Sequence, residues 1–193
     1  MGNGKTAVAT LALMMALTAR QAQAQGVEFS LGGGLGIPLS ETDDRDKLGW
    51  HGLAGVSVVP TGWPVGIQVD GQFHQFKLED AAQPPGFDLK DRLIFGTGNL
   101  VYKFKTSEES TFRPYLIGGG GVYNIKTTGA DDLEEVLGTD NSTTKFGINA
   151  GAGFDFKAGS VGVFVEGRFH DVLVEGEDYR FIPVTLGLRF GGS

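Results

Sequence analysis

Val65–Phe76 reads VGIQVDGQFHQF. Val65, Ile67, Val69, Gly71 and Phe73 are apolar or small, and between them fall Gly66, Gln68, Asp70, Gln72 and His74. Side chains alternate across the two faces of a strand, so the stretch reads as a β-strand with one greasy and one polar side. Farther along, Val161–Val172 reads VGVFVEGRFHDV, with the same alternation. A slide of 96 positions lays Gly52–His74 on Ile148–His170 without a gap and matches Ala54, Gly55, Val65, Gly66, Val69, Gly71, Phe73 and His74 to identical residues. An acid near a histidine invites a catalytic reading. Asp70 and His74, like Glu166 and His170, are four residues apart, however, about 13 Å along a strand at roughly 3.3 Å per residue. That is too far for the acid to orient its own imidazole, and the repeat is read as architecture.

The same period of two recurs along the chain. Greasy faces are Val27, Phe29, Leu31, Leu35, Ile37 and Leu39; Trp50, Ala54, Val56 and Val58; Ile94, Leu100, Tyr102 and Phe104; Phe146, Ile148, Phe154 and Phe156; Val161, Val163, Val165 and Phe169; and Ile182, Val184, Leu186, Leu188 and Phe190. RPYLIGGGGVYNIK from Arg113 is a further strand whose glycine run blurs its phase. Tyr115, Ile117, Tyr123 and Ile125 are assigned outward there, so that the two tyrosines flank the glycines. Eight strands are expected in all. Long polar joins at Ser40–Gly49, Glu79–Lys90, Thr127–Thr144 and Leu173–Arg180 alternate with short ones at Pro60–Pro64, Lys105–Phe112 and Lys157–Ser160. Such alternation describes an up-and-down sheet with tight turns at one end and long loops at the other.

The 193 residues suffice for one domain, and the absence of Cys leaves no disulfide framework or Cys-based metal site. Residues 1–24 have the order of a secretory signal peptide: Lys5, an apolar run from Ala7 to Leu17, and small residues ending Ala22-Gln23-Ala24. The expected division is therefore a cleaved segment 1–24 and a barrel domain 25–193. A net charge of -7 argues against nucleic acid as a partner.

A soluble barrel turns its greasy face inward, and a membrane barrel turns it to lipid. The greasy faces here are almost free of charge. The opposite faces carry Glu28, Asp70, Asp155 and Glu166 against Lys103, Lys145, Arg168 and Arg189, a balance suited to enclosed ion pairs. With His74 and His170 these are the candidate lumen network, a structural rather than catalytic set. Trp50, Trp63, Tyr102, Phe104, Tyr115, Tyr123, Phe156 and Phe190 lie near strand ends, as interfacial girdles do. Strands of about ten residues suit a tilted crossing of the bilayer. The expected fold is all-β, an eight-stranded antiparallel up-and-down transmembrane β-barrel, closed because an open edge in hydrocarbon strands backbone groups at several kcal/mol each.

On RPYLIGGGGVY, FGINAGAGFDF, VFVEGRFHDV and the closing IPVTLGLRF, the chain resembles the small eight-stranded outer-membrane β-barrel proteins: the OmpA-like transmembrane domain and its opacity and attachment-invasion relatives. The resemblance spans roughly Val27 to Phe190. It implies a bacterial outer-membrane location, assembly by the barrel assembly machinery, contact with outer-membrane lipids including lipopolysaccharide, and a structural or adhesion-type role. The sequence departs from that pattern in the Gly191-Gly192-Ser193 tail, and no peptidoglycan-binding domain is expected after the barrel.

The remaining candidates are weaker. A metal or proton site shared by His74 and His170 lacks enough ligands, and no metal or other cofactor is expected. Catalysis would need a nucleophile, a base and an orienting acid together. His51 lies near Ser40 and Glu41 in sequence, but no nucleophile elbow is present. The alternatives to a structural or adhesion role are thus a narrow channel and, behind it, a lipid-modifying enzyme. The loops are acidic: Glu41, Asp43, Asp44 and Asp46; Glu79, Asp80 and Asp88; Asp131, Asp132, Glu134, Glu135 and Asp140; Glu175, Glu177 and Asp178. Such a crown is suited to solvation, to divalent cations bridging lipopolysaccharide phosphates, or to an extracellular partner. ADDLEEVLG from Ala130 reads as a short capped helix.

Overall fold

The computed structural model describes residues 26–39, 47–60, 63–77, 90–107, 110–128, 142–159, 161–174 and 177–191. Eight strands pair in chain order and close into an antiparallel barrel: β1 (Val27–Leu39), β2 (Gly49–Val58), β3 (Val65–Lys77), β4 (Lys90–Lys103), β5 (Phe112–Thr128), β6 (Ser142–Ala158), β7 (Val161–Val174) and β8 (Glu177–Gly191). The closing seam pairs β1 with β8 from Glu28↔Gly191 to Leu39↔Arg180, so no strand edge remains open. The signal-peptide segment, most of the acidic loop residues, the helix expected from Ala130, Ser40 and Glu41 lie outside the described residues.

The alternation read from sequence decides which solvent each face meets. Leu31, Leu35, Trp50, Val56, Ile67, Val69, Ile94, Leu100, Phe146, Ile148, Leu186 and Leu188 are exposed on the outside, whereas Asp70, His74, Glu166, Arg168 and His170 are buried within. From Ile94 to Phe104 the outward face of β4 and its end is apolar for about ten residues. At roughly 3.3 Å per residue and a 40° tilt that is about 25 Å of height, the thickness of an outer-membrane belt. Rings gather at the rims of this belt. Tyr102 packs on Phe104 (5.0 Å between centroids) and Phe112 on Phe154 (5.0 Å) at the short-turn end, and Trp50 packs on Phe73 (5.2 Å) at the other.

β5 departs from the expected phase. Tyr115, Ile117 and Tyr123 point inward and are buried, while Leu116 and Val122 are exposed to the outside; Ile125 is partly buried against the interior cluster. The two tyrosines therefore belong to the core and not to the girdles. The cause lies on the neighbouring strand: a side chain at Gly153 would collide with the Tyr115 ring, and one at Gly147 would come within 2.7 Å of the Tyr123 ring. Two glycines on the inner face of β6 thus leave room that the β5 tyrosines fill, an exchange of volume across strands. Arg113 shares the phase of Tyr115, and a charge in that phase belongs inside.

A second departure concerns the fourth long loop. β7 and β8 stay paired out to Val174↔Glu177, so the polar residues Asp178 and Arg180 extend a strand instead of forming a loop. The polar composition that suggested a loop marks strand that has risen beyond the hydrocarbon. Backbone pairing continues there even though the lipid does not.

The repeated segments form facing hairpins, β2–β3 and β6–β7, but in different registers. His51 pairs with His74 in the first, whereas His170 pairs with Asn149 in the second, two positions from where a pure repeat would put it. A shift of two keeps every side chain on its own face, and a shift of one would invert them all. The repeat is thus one of alternation, not of superimposable hairpins.

Candidate functional site

The interior is filled in layers. At its centre Asp70, from β3, accepts hydrogen bonds from Gln68 (3.0 Å), Gln72 (3.0 Å), Thr97 (2.9 Å) and Asn99 (2.9 Å). Arg168, from β7 on the far side, adds Nη1 at 3.0 Å from Oδ2. The same guanidinium donates through Nε (3.0 Å) and Nη2 (2.5 Å) to Glu166, whose other oxygen accepts from the Tyr115 hydroxyl at 2.9 Å. Arg168 is 1% exposed, and its carboxylate partners Asp70 and Glu166 are 0% and 2% exposed. An ion triad so deep persists only because nearly every lone pair is met, since one uncompensated charge would cost several kcal/mol.

Towards the short-turn end lies a second charged layer. Lys103 bridges Glu28 (2.6 Å) and Asp155 (3.8 Å), and Arg189 reaches Asp155 at 2.7 Å. The Arg189 guanidinium is held between the rings of Tyr115 (4.7 Å) and Phe164 (4.8 Å), a cation–π clamp. Towards the loop end lie the imidazoles. His51 stacks on His74 with centroids 4.6 Å apart, and His170 stacks on Phe181 at 4.8 Å. Each histidine makes one side-chain hydrogen bond: His51 to Thr185 (2.8 Å), His74 to Gln72 (3.0 Å) and His170 to Tyr123 (2.9 Å). One ring nitrogen of each has no hydrogen-bond partner among the described residues. Packed around and beyond them, Phe76, Leu93, Phe95, Tyr123, Val172, Tyr179 and Phe181 form an apolar lid.

Of the residues read from sequence as the lumen network, Asp70, Glu166 and Arg168 form the central triad, and Glu28, Lys103, Asp155 and Arg189 form the lower layer. His74 is linked to Asp70 through Gln72, whereas His170 bonds Tyr123, and the Phe95 and Phe181 rings pack against both imidazoles. Lys145 is half-buried near the loop end of β6, away from the ion pairs of the described residues. No cluster of three or more His, Cys, Asp or Glu suited to a metal is found among the described residues. His51 bonds Thr185, and the loop residues Ser40 and Glu41 set beside it in the sequence lie outside the described residues.

Sequence reasoning missed Gln68, Gln72, Thr97 and Asn99 as ligands of Asp70, and Tyr115 as a donor to Glu166. The amides and Thr97 share the inward phase already assigned to their strands, and that parity was the available signal. Tyr115 was hidden by the misplaced phase of β5.

A third charged feature lies on the outside. Lys77, Arg92 and Lys126 project from the outward faces of β3, β4 and β5 at the loop end, just beyond Phe73, Ile94 and Val122. Arg92 and Lys126 are direct cross-strand partners, an arrangement of like charges that destabilises a sheet unless an anion offsets it. Arg92 also lies 5.5 Å from the Phe73 ring centre.

A closed eight-stranded barrel with a lipid-facing belt, rim aromatics and an ion-paired interior defines an integral outer-membrane β-barrel. The sequence profile of the outer membrane protein beta-barrel domain family matches residues 9–190, and the chain belongs to that family, in the outer membrane of a bacterium. Among curated proteins, none matches in sequence. Among solved structures, Neisserial surface protein A is 16% identical with a TM-score of 0.61, covering 86% of this chain and 96% of its own. The attachment invasion locus protein Ail of Yersinia pestis, in complex with the heparin analogue sucrose octasulfate, is 15% identical at a TM-score of 0.57, covering 85% and 97%. OprG of Pseudomonas aeruginosa is 13% identical at 0.55, covering 87% and 98%. At these identities the likeness is one of fold.

Proposed function

We propose that this barrel is a non-enzymatic surface scaffold, anchored among lipopolysaccharide molecules, that holds acidic loops outward for contact with cations or an extracellular partner. The carrying observation is the interior itself: the Asp70–Arg168–Glu166 triad spans the lumen and the aromatic lid lies above it, an arrangement that holds strands rigid and leaves ions no easy route. The outer collar of Lys77, Arg92 and Lys126 supports the lipid half of the reading. It stands at the level where outer-leaflet phosphates meet the apolar belt, and phosphates relieve the repulsion between Arg92 and Lys126.

The adhesion half draws on the likeness to Ail, whose complex holds a sulfated sugar. In the present chain residues 129–141 carry Asp131, Asp132, Glu134, Glu135 and Asp140 and no Lys or Arg. A basic or cation-bridged partner fits such loops better than a polysulfated one.

The test compares wild type with a K77Q/R92Q/K126Q variant, both refolded with and without purified lipopolysaccharide. Lipopolysaccharide is expected to raise the thermal midpoint of the wild type and to raise that of the variant much less. Equal shifts would remove the collar from the proposal. Binding of the wild type to immobilised basic and sulfated polymers, with and without calcium, tests the loops.

A further inference from the structure

The short-turn mouth of the barrel holds a cavity of about 270 Å³, lined among others by Glu28, Lys103, Arg113, Asp155, Lys157 and Arg189. Among its described residues cations outnumber anions: Glu28 and Asp155 are engaged by Lys103 and Arg189, Arg113 stands across the β5–β6 pairing from the same Asp155, and neither Arg113 nor Lys157 makes a close ion pair among the described residues. The lining is built and not merely superficial. Lys103 and Arg189 are 8% and 6% exposed, and two aromatic rings fix the Arg189 guanidinium. The network is also open: Arg189 Nε and Asp155 Oδ1 have no hydrogen-bond partner among the described residues.

A second recess, of about 340 Å³, adjoins the first. It shares Lys103 and Arg113 and is completed by Val59, Trp63, Pro64, Phe104, Lys105 and Thr106. Trp63 and Phe104 are exposed outward at the membrane rim. A line of cations, Arg189, Lys103, Arg113 and Lys105, therefore runs from the lumen mouth to a greasy aromatic lip at the lipid surface. That is the layout of an amphiphile with a negative head. An anion free in solution has no use for the aromatic lip, and a neutral lipid has none for the excess cations.

We propose that this recess binds the phosphate head group of an anionic phospholipid from the inner leaflet. Arg113 and Lys105 hold the phosphodiester, Lys103 stands behind it, and the glycerol and first methylenes lie against Trp63 and Phe104. The site lies at the opposite end of the barrel from the lipopolysaccharide collar and stands independently of it.

Native mass spectrometry of the full chain, extracted from vesicles of phosphatidylcholine mixed with phosphatidylglycerol, tests the proposal. The expected result is selective retention of phosphatidylglycerol by the wild type. Retention should fall about fivefold for each cation removed in Arg113→Gln and Lys105→Gln, and remain close to wild type in Arg113→Lys. Heat-modifiable migration of each variant establishes that the barrel has folded, and Arg113→Lys separates loss of charge from loss of structure. Equal retention of the zwitterionic lipid, or retention unchanged in K105Q/R113Q, would overturn the proposal. Displacement of the lipid by millimolar inorganic phosphate would overturn it in favour of a free-anion site.

Discussion

The Arg168 guanidinium, on β7, lies 3.3 and 3.0 Å from the two carboxylate oxygens of Asp70, on β3, so a charge pair joins opposite walls of the barrel. Removing Arg168 leaves two buried carboxylates facing each other without a counter-ion. Arg168→Met is expected to cost about 3–5 kcal/mol, whereas a D70N/R168M double variant costs less than the sum of its singles. Urea titration of the refolded barrel, read by heat-modifiable migration, gives both numbers. Additive losses would mean that the pair does not stabilise the barrel as a pair.

The inward phase of β5 makes a sharp distinction among its consecutive glycines. A Cβ at Gly121 would overlap the Gly96 carbonyl oxygen and lie 2.8 Å from Thr97 Cα, whereas one at Gly118 would rest 3.5 Å from the Asn149 carbonyl. Gly121→Ala is expected to destabilise by about 1–3 kcal/mol or prevent refolding, and Gly118→Ala to change stability by about 0.5 kcal/mol or less. Parallel refolding yields of the two variants check it; the reverse order would return β5 to its expected phase.

The two tryptophans report membrane depth. Trp50 and Trp63 are 53% and 67% exposed on the outer wall, at opposite ends of the belt. Quenchers placed at the lipid head group should dim their fluorescence more than quenchers placed deep in the acyl chains, for W50F and W63F alike. Preferential quenching from the bilayer centre in either single-Trp variant would contradict the placement of that rim.

The layered interior predicts electrical silence. Reconstituted into planar bilayers, the wild type should show no stepwise conductance. Phe181→Ala should show none either, because removing one ring of the aromatic lid leaves the Asp70–Arg168–Glu166 layer beneath it in place. Discrete openings in the wild type would revive the channel alternative.

Most of the fold was legible because membrane strands are governed by one rule, alternation, which needs only local sequence. Seven strands obeyed it openly, as in Val65–Phe76. β5 did not, because glycines at 118–121 carry no side chain to declare a face; its phase is set by Gly147 and Gly153 on β6, which local reading does not weigh. The β7–β8 join failed for a related reason: polar residues such as Asp178 and Arg180 mark the end of the lipid, not the end of pairing. The interior was legible as a set of charges but not as contacts. That Arg168 meets Asp70 depends on register and barrel closure, and that Arg92 faces Lys126 depends on the β4–β5 register.

The two-position offset between the facing hairpins has a practical corollary for chimeras. Grafting the His51/His74 hairpin into the place of its counterpart would preserve which residues touch lipid, yet displace paired groups by roughly 7 Å along the wall. The graft would also bring Gln72 where Arg168 stands, so the central carboxylates would lose their guanidinium. The two halves of this molecule are interchangeable as surfaces and incompatible as interiors.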